Sequence, residues 1–199
     1  HKEQQLPAAT GTVKKLIKDF PQSHVLDQAH YRLGEYLYAA EEYPQAIEEY
    51  QRVVSGWPKS AFVPYAMYGQ GWSHLKTRKF DLAIKSFSSL IDGYGDHQLA
   101  GPGLLGRAMS YRQAKQYQQT IDDVSAFLAG KPSNIDKLDG LYERGLAEVA
   151  LKKYADAAKS FEALLASKTK FANTDTVLYE LAWAYRSLEK MDQSTDIFN

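Results

Sequence analysis

Apolar positions along the 199-residue chain recur at helical spacing, and the recurrence itself repeats. Ala46, Ile47, Tyr50, Val53 and Val54 fall at i, i+1, i+4, i+7 and i+8, the stripe of a helix with one buried side. Leu33, Tyr36 and Leu37 do the same on the segment before it. A short polar break, Ala40-Glu41-Glu42-Tyr43-Pro44, separates the two, and Pro44 suits the first turn of a helix. Read this way, the pattern predicts helices over about 25–39, 43–56, 61–76, 80–93, 99–113, 117–129, 136–151, 154–167, 174–188 and 191–198, after a partial one over 8–20. No segment alternates with period two, so no strand is expected.

The helices come in a register of 37 residues. A small residue stands at Gly34, Gly71, Ala108, Gly145 and Ala182, where two helices can cross closely. Twelve positions later come Ala46, Ala83, Thr120, Ala157 and Ser194 on the partner helix. Four further on, Tyr50, Phe87, Val124, Phe161 and Phe198 supply mostly large plugs between layers. Pro21, Pro58 and Pro132 stop helices. Gly93-Tyr94-Gly95 replaces that proline junction once, and Gly101-Pro102-Gly103 falls where a helix should start. These residues predict a looser turn or a kink near 93–103. The fold class expected is an all-α solenoid of antiparallel helix pairs.

The run Tyr31-Arg32-Leu33-Gly34-Glu35-Tyr36-Leu37, followed by Tyr43, Ala46-Ile47, Tyr50 and Pro58, resembles a tetratricopeptide repeat. The resemblance covers nearly the whole chain, although the family's usual period is about 34 residues. The longer unit and junctions such as Phe20-Pro21-Gln22-Ser23 and Trp57-Pro58-Lys59-Ser60 are similar to bacterial envelope repeat proteins. The lipoprotein of outer-membrane-protein assembly and the periplasmic Tol–Pal-associated protein are of this type. The resemblance implies a right-handed superhelical solenoid, with residues 1–199 forming a single array. Its partial unit would be 8–23, its further units about 25–60, 61–97, 98–134 and 135–171, and an incomplete one 172–199. The register predicts a fragment of a longer protein, and the resemblance implies a periplasmic or cell-envelope location, with the cytoplasm as the alternative.

In the resembled family the first helices of successive units line a concave face that holds extended peptides or partner helices. Projection of the register puts Tyr31, Tyr68, Tyr142 and Tyr179 in one column of that face. Glu35, Trp72, Met109 and Trp183 form the column one turn later, and Tyr38, Arg112 and Arg186 belong to a third. Tyr, Trp, Met and Arg are favoured at binding surfaces because they combine large area with, in most cases, a polar handle. The same spacing also serves packing between helices, so both readings stand at this level. The carboxylate clamp of the chaperone-binding branch is not expected, because its places hold Tyr31, Glu35, Gly69, Pro102 and Gly106.

Composition narrows the partners. With 24 Lys+Arg against 24 Asp+Glu the net charge is zero, so no excess of positive charge exists to hold a nucleic acid. The balance is local too: Lys14, Lys15 and Lys18 are followed by Glu41, Glu42, Glu48 and Glu49, then by Arg78, Lys79 and Lys85. No apolar run reaches the roughly 18 residues a membrane-spanning helix needs. Cysteine is absent, and the five histidines form no metal-binding pair at helical spacing. No nucleophile elbow or phosphate loop is present. The expectation is a non-catalytic scaffold without cofactor or metal, acting on a protein or peptide partner. The alternatives are the interaction region of a larger multidomain enzyme and an array that self-associates through its open ends.

Overall fold

The computed structural model describes residues 2–167 and 169–197, and for residues 2–5 the backbone alone. Eleven helices are seen among the described residues, and no strand. They are α1 (Lys2–Asp19), α2 (Leu26–Ala39), α3 (Tyr43–Gly56), α4 (Val63–Lys76), α5 (Phe80–Gly93), α6 (Ala100–Gln113), α7 (Tyr117–Ala129), α8 (Asn134–Ala150), α9 (Tyr154–Leu165), α10 (Thr174–Ser187) and α11 (Met191–Asp196). The ten helices expected after residue 23 lie within about two residues of these bounds. Helix α1 starts well before residue 8 and runs through Pro7. Phe198 of the aromatic column lies outside the described residues.

The helices gather into two compact units, one up to Gly106 and one from Arg107 onward. In the first unit, consecutive helices pack as antiparallel pairs, and α2 also touches α4. Its core holds Tyr31, Leu33, Leu37, Ala46, Tyr50, Val53, Val63 and Ala66. In the second unit the core is built from α8, α9 and α10, including Leu141, Ala157, Phe161, Leu164, Val177 and Leu181, and α8 touches α10.

A ring wedged between glycines organises the first unit. Tyr50 of α3 is 1% exposed. A Cβ added to Gly34 of α2 would lie 2.6 Å from its ring, and one added to Gly69 of α4 would lie 2.5 Å from it. Phe87 of α5 sits in the same way between Gly71 and Gly106, at 2.7 and 2.5 Å. In the second unit Gly145 meets Phe161 at 2.4 Å. No real Cβ tolerates such distances, so each glycine is needed for the close approach of a helix to a ring.

The turn within each helix pair is set by one residue in the left-handed region. These residues are Glu41, Arg78, Lys115, Lys152 and Glu189, with φ of 61°, 59°, 61°, 59° and 61°. They repeat at the 37-residue step, and none is glycine. At the first, Glu42 N–H donates to Leu37 C=O at 2.8 Å and Glu41 N–H to Tyr38 C=O at 3.0 Å. This 6→1 and 5→2 pairing closes a Schellman turn, and the same bonds recur at the other four. Side chains in this conformation are strained by about 1–2 kcal/mol. Arg78→Gly, Lys115→Gly and Lys152→Gly are each expected to raise stability by about 0.5–1 kcal/mol after glycine's greater entropy loss is counted. Urea midpoints check this, and a loss of stability at all three would refute the strain.

The expected irregularity near 93–103 is not found. At the junctions after α1, α3 and α5 the same two bonds form: Phe20, Trp57 and Tyr94 accept from Ser23, Ser60 and His97, which accept in turn from Leu26, Val63 and Ala100. His97 explains the regularity. Its Nδ1 accepts from Leu99 N–H at 3.2 Å, as Ser60 Oγ accepts from Phe62 N–H at 3.1 Å. Gly101 and Pro102 fall in the first turn of α6, where backbone N–H groups have no helical partner to lose. The junction at 130–133 is built differently. There Lys131 has φ 52°, and Ser133 Oγ caps α8 by accepting from Asp136 N–H.

Candidate functional site

On the face made by α2 and α4, the first unit has a cleft of about 350 Å³ lined by Glu35, Tyr38, Tyr50, Tyr68, Gly69, Trp72 and Lys76. Helical spacing puts Glu35 and Tyr38 on one wall, and Tyr68, Trp72 and Lys76 on the other, with one turn between neighbours. Tyr50 of α3 forms the floor, buried beneath it with Gly69 packed against its ring. Four of the five residues expected in this unit therefore meet in one cleft. The fifth, Tyr31, is packed into the core at 9% exposure, stacked on Phe62 with centroids 5.3 Å apart.

The aromatic walls are held in place from behind. Tyr68 and Trp72 stand at 79° to each other with centroids 6.0 Å apart. Both meet the buried Phe87 nearly at right angles, at 6.0 and 5.8 Å. Tyr38 is braced by Tyr43 at 5.3 Å. Burial raises the Tyr31 and Tyr50 hydroxyls well above the ordinary tyrosine range, and the negative charge of Glu35 raises them further. Tyr38 is also raised by burial, with Tyr43 and Tyr68 adding to it. The three phenols therefore stay protonated as hydrogen-bond donors. Glu35 itself has a weak ion pair with Arg32 at 3.9 Å, both side chains being about half exposed.

In the second unit the expected residues divide. Arg112 of α6 is committed to the carboxylate of Glu143 of α8, its Nη2 donating to Oε1 at 3.2 Å and its Nε to Oε2. Tyr142 is half-buried against Phe171 at 5.3 Å, and Met109 is half-buried. Tyr179 and Trp183 on α10 are 60% and 48% exposed, and the guanidinium of Arg186 lies 6.0 Å from the Trp183 ring. Here the two rings stand open on α10. A second charged tie, missed in the sequence, is the bidentate bond from Arg107 to Asp123 at 2.7 and 2.8 Å.

Three cleft residues were also not foreseen as site residues. Tyr50 reads as core, Lys76 as solvated surface, and Gly69 carries no chemistry. The signal for Gly69 and Tyr50 was their place in the register, since a glycine opposite a ring lets the ring pack directly under the helix backbone. Among the described residues no cluster of three or more His, Asp or Glu could hold a metal ion. No helix among them is long and apolar enough to cross a membrane.

The outer membrane lipoprotein family YfiO matches residues 1–135. A tetratricopeptide repeat family, TPR_16, matches residues 142–199. No curated protein matches the chain. Among solved structures, it is similar to a tetratricopeptide repeat protein from Parabacteroides merdae, with TM-score 0.73 and 14% identity over 98% of this chain and 72% of that one. A MamA protein gives TM-score 0.74 and 13% identity over 88% of this chain and 90% of its own. MamA from Desulfovibrio magneticus RS-1 gives 0.71 and 11% over 87% and 91%. At these identities the likeness is one of fold. With the helix-pair register, the wedge glycines and the match over residues 1–135 in hand, the chain belongs to the YfiO outer membrane lipoprotein family, and its tetratricopeptide repeats make it a protein-interaction scaffold.

Proposed function

We propose that the chain is a non-catalytic scaffold of the bacterial envelope that holds an extended segment or a helix of a partner protein on the face of its first helices. The observation that carries this reading is the α2–α4 cleft. It brings Tyr38, Tyr68 and Trp72 to the surface on rigid helices, with their rings already locked by Phe87 and Tyr43. Preformed aromatic area of this kind binds without much loss of side-chain entropy. The outer membrane lipoprotein family supports the envelope as the location. The repeat register running through both units supports reading them as one array, with Met109, Tyr142, Tyr179, Trp183 and Arg186 extending the same kind of face.

The test is selection of random 12-residue peptides on the purified full chain, followed by mapping of each bound peptide by NMR. The expected result is perturbation of the Trp72 indole and its neighbours, with affinity reduced tenfold or more in Trp72→Leu. Peptides that map elsewhere and bind Trp72→Leu unchanged would sink the reading.

A further inference from the structure

We propose that the α2–α4 cleft takes a positively charged side chain, a lysine or an arginine, of the bound segment. The inference rests on the partner-binding reading of this face and specifies its chemistry. Three features of the cleft point to a cation.

The first is the pair of rings. Tyr68 and Trp72 make a corner at 79°, and an aromatic face attracts a cation through its quadrupole, most strongly for tryptophan. Phe87 closes the corner from behind and prevents the rings from collapsing onto each other.

The second is the carboxylate. Glu35 occupies on α2 the register position that Trp72 occupies on α4, so charge and indole stand side by side across the cleft. The Glu35 side chain is 42% exposed and open to a ligand. The hydroxyls of Tyr31 and Tyr50 approach it from below as donors, and its tie to Arg32 is long and on the same helix, a contact worth only about 0.3–0.5 kcal/mol. An aliphatic occupant would strip water from Glu35 without replacing its hydrogen bonds. Lys76, exposed and one turn beyond Trp72, also lines the cleft, so the bound cation must reach Glu35 and the rings beside a resident ammonium.

The third is an internal comparison within the repeat. In the second unit the carboxylate of Glu143 on a first helix receives a guanidinium, Arg112, from the preceding first helix. Glu143 stands in the register column of Arg32, Gly69 and Gly106, not in that of Glu35, so the likeness is one of chemistry and not of position. The second unit thus shows a first-helix carboxylate taking a guanidinium from a neighbouring first helix. A partner's lysine or arginine would do the same for Glu35.

The experiment uses the full chain and four capped pentapeptides, Gly-Gly-X-Gly-Gly, with X as Arg, Lys, Leu or Glu. Each is titrated while the Trp72 indole N–H resonance, assigned from the Trp72→Leu spectrum, is followed by NMR. Arg and Lys peptides are expected to move it saturably, and Leu and Glu peptides to leave it in place. Glu35→Gln, a substitution that keeps shape and folding, is expected to weaken the Arg peptide tenfold or more. Equal response to Leu and Arg, or unchanged affinity in Glu35→Gln, would overturn the cation. If selected 12-residue peptides still shift Trp72 in that case, the face remains a binding site for a different chemistry. Silence of Trp72 to every peptide would remove both readings. Tetramethylammonium competing as well as the Arg peptide would overturn a side chain as the occupant in favour of a free quaternary cation.

Discussion

Phe87→Ala is expected to lower stability by about 3–5 kcal/mol, read as a large fall in the urea midpoint. The ring is fully buried, and the backbone around it cannot close the gap. Gly71 and Gly106 already bring α4 and α6 as near as backbones can come, at ideal-Cβ distances of 2.7 and 2.5 Å. Removing the ring therefore leaves a cavity lined by glycine backbone and by the edges of Tyr68 and Trp72. The converse substitution tests the same wedge. Gly106→Ala gains about 1 kcal/mol of helix propensity, yet places a methyl inside the Phe87 ring. A net loss is expected, relieved in part by Phe87→Leu in the same chain. A loss below about 1 kcal/mol for Phe87→Ala, or additive effects in the double variant, would show that the ring is not a wedge. Because Tyr68 and Trp72 lean on Phe87, the variant should also lose peptide binding at the cleft out of proportion to its unfolded fraction.

The helices were legible in the sequence because two signals agree at almost every boundary. The apolar stripe of each helix has the right period, and a polar break or proline stands at each end. The wedge was legible as well, since the small residues and the rings fall in fixed columns. Turn chemistry was not. Glycine is the usual mark of a left-handed residue, whereas this chain puts Glu41, Arg78, Lys115, Lys152 and Glu189 there. Their sequence signature is merely polar. The junction at 94–99 misled for a related reason. Proline and serine were missing, but a histidine ring nitrogen accepts the same hydrogen bond as the serine hydroxyl.

The candidate site was legible in part. Projection onto helical faces placed Glu35, Tyr38, Tyr68 and Trp72 together correctly. It could not separate Tyr31 from them, because Tyr31 and Tyr68 share a column. What differs is the neighbour: Tyr31 has Phe62 and Tyr65 packed over it. Nor could it show that Arg112 is taken by Glu143. The clue lay in comparing columns. Where Gly69 faces Tyr50 and Gly106 faces Phe87, the next register positions are Glu143 and Val124. A smaller plug and a larger facing residue occur together, and the acid that enters needs a partner.

That pairing leads to the second large effect. Arg112→Met is expected to destabilise by about 3 kcal/mol or more, because it strands Glu143 at 4% exposure without its guanidinium. Burial alone opposes the charge on Arg112, and the hydrogen bond and charge of Glu143 more than offset it. The two groups therefore stabilise each other chiefly by answering each other's desolvation. It follows that removing both should hurt far less than removing one. Arg112→Met combined with Glu143→Leu should recover most of the loss, since two apolar chains of similar volume bury no charge. The cycle also separates structure from recognition. If Arg112 holds α6 to α8, the double variant keeps both its fold and its peptide affinity. A double variant that is stable and has lost binding would show instead that the guanidinium serves the partner. A single variant of native stability would show that Glu143 finds water or another cation when Arg112 is gone.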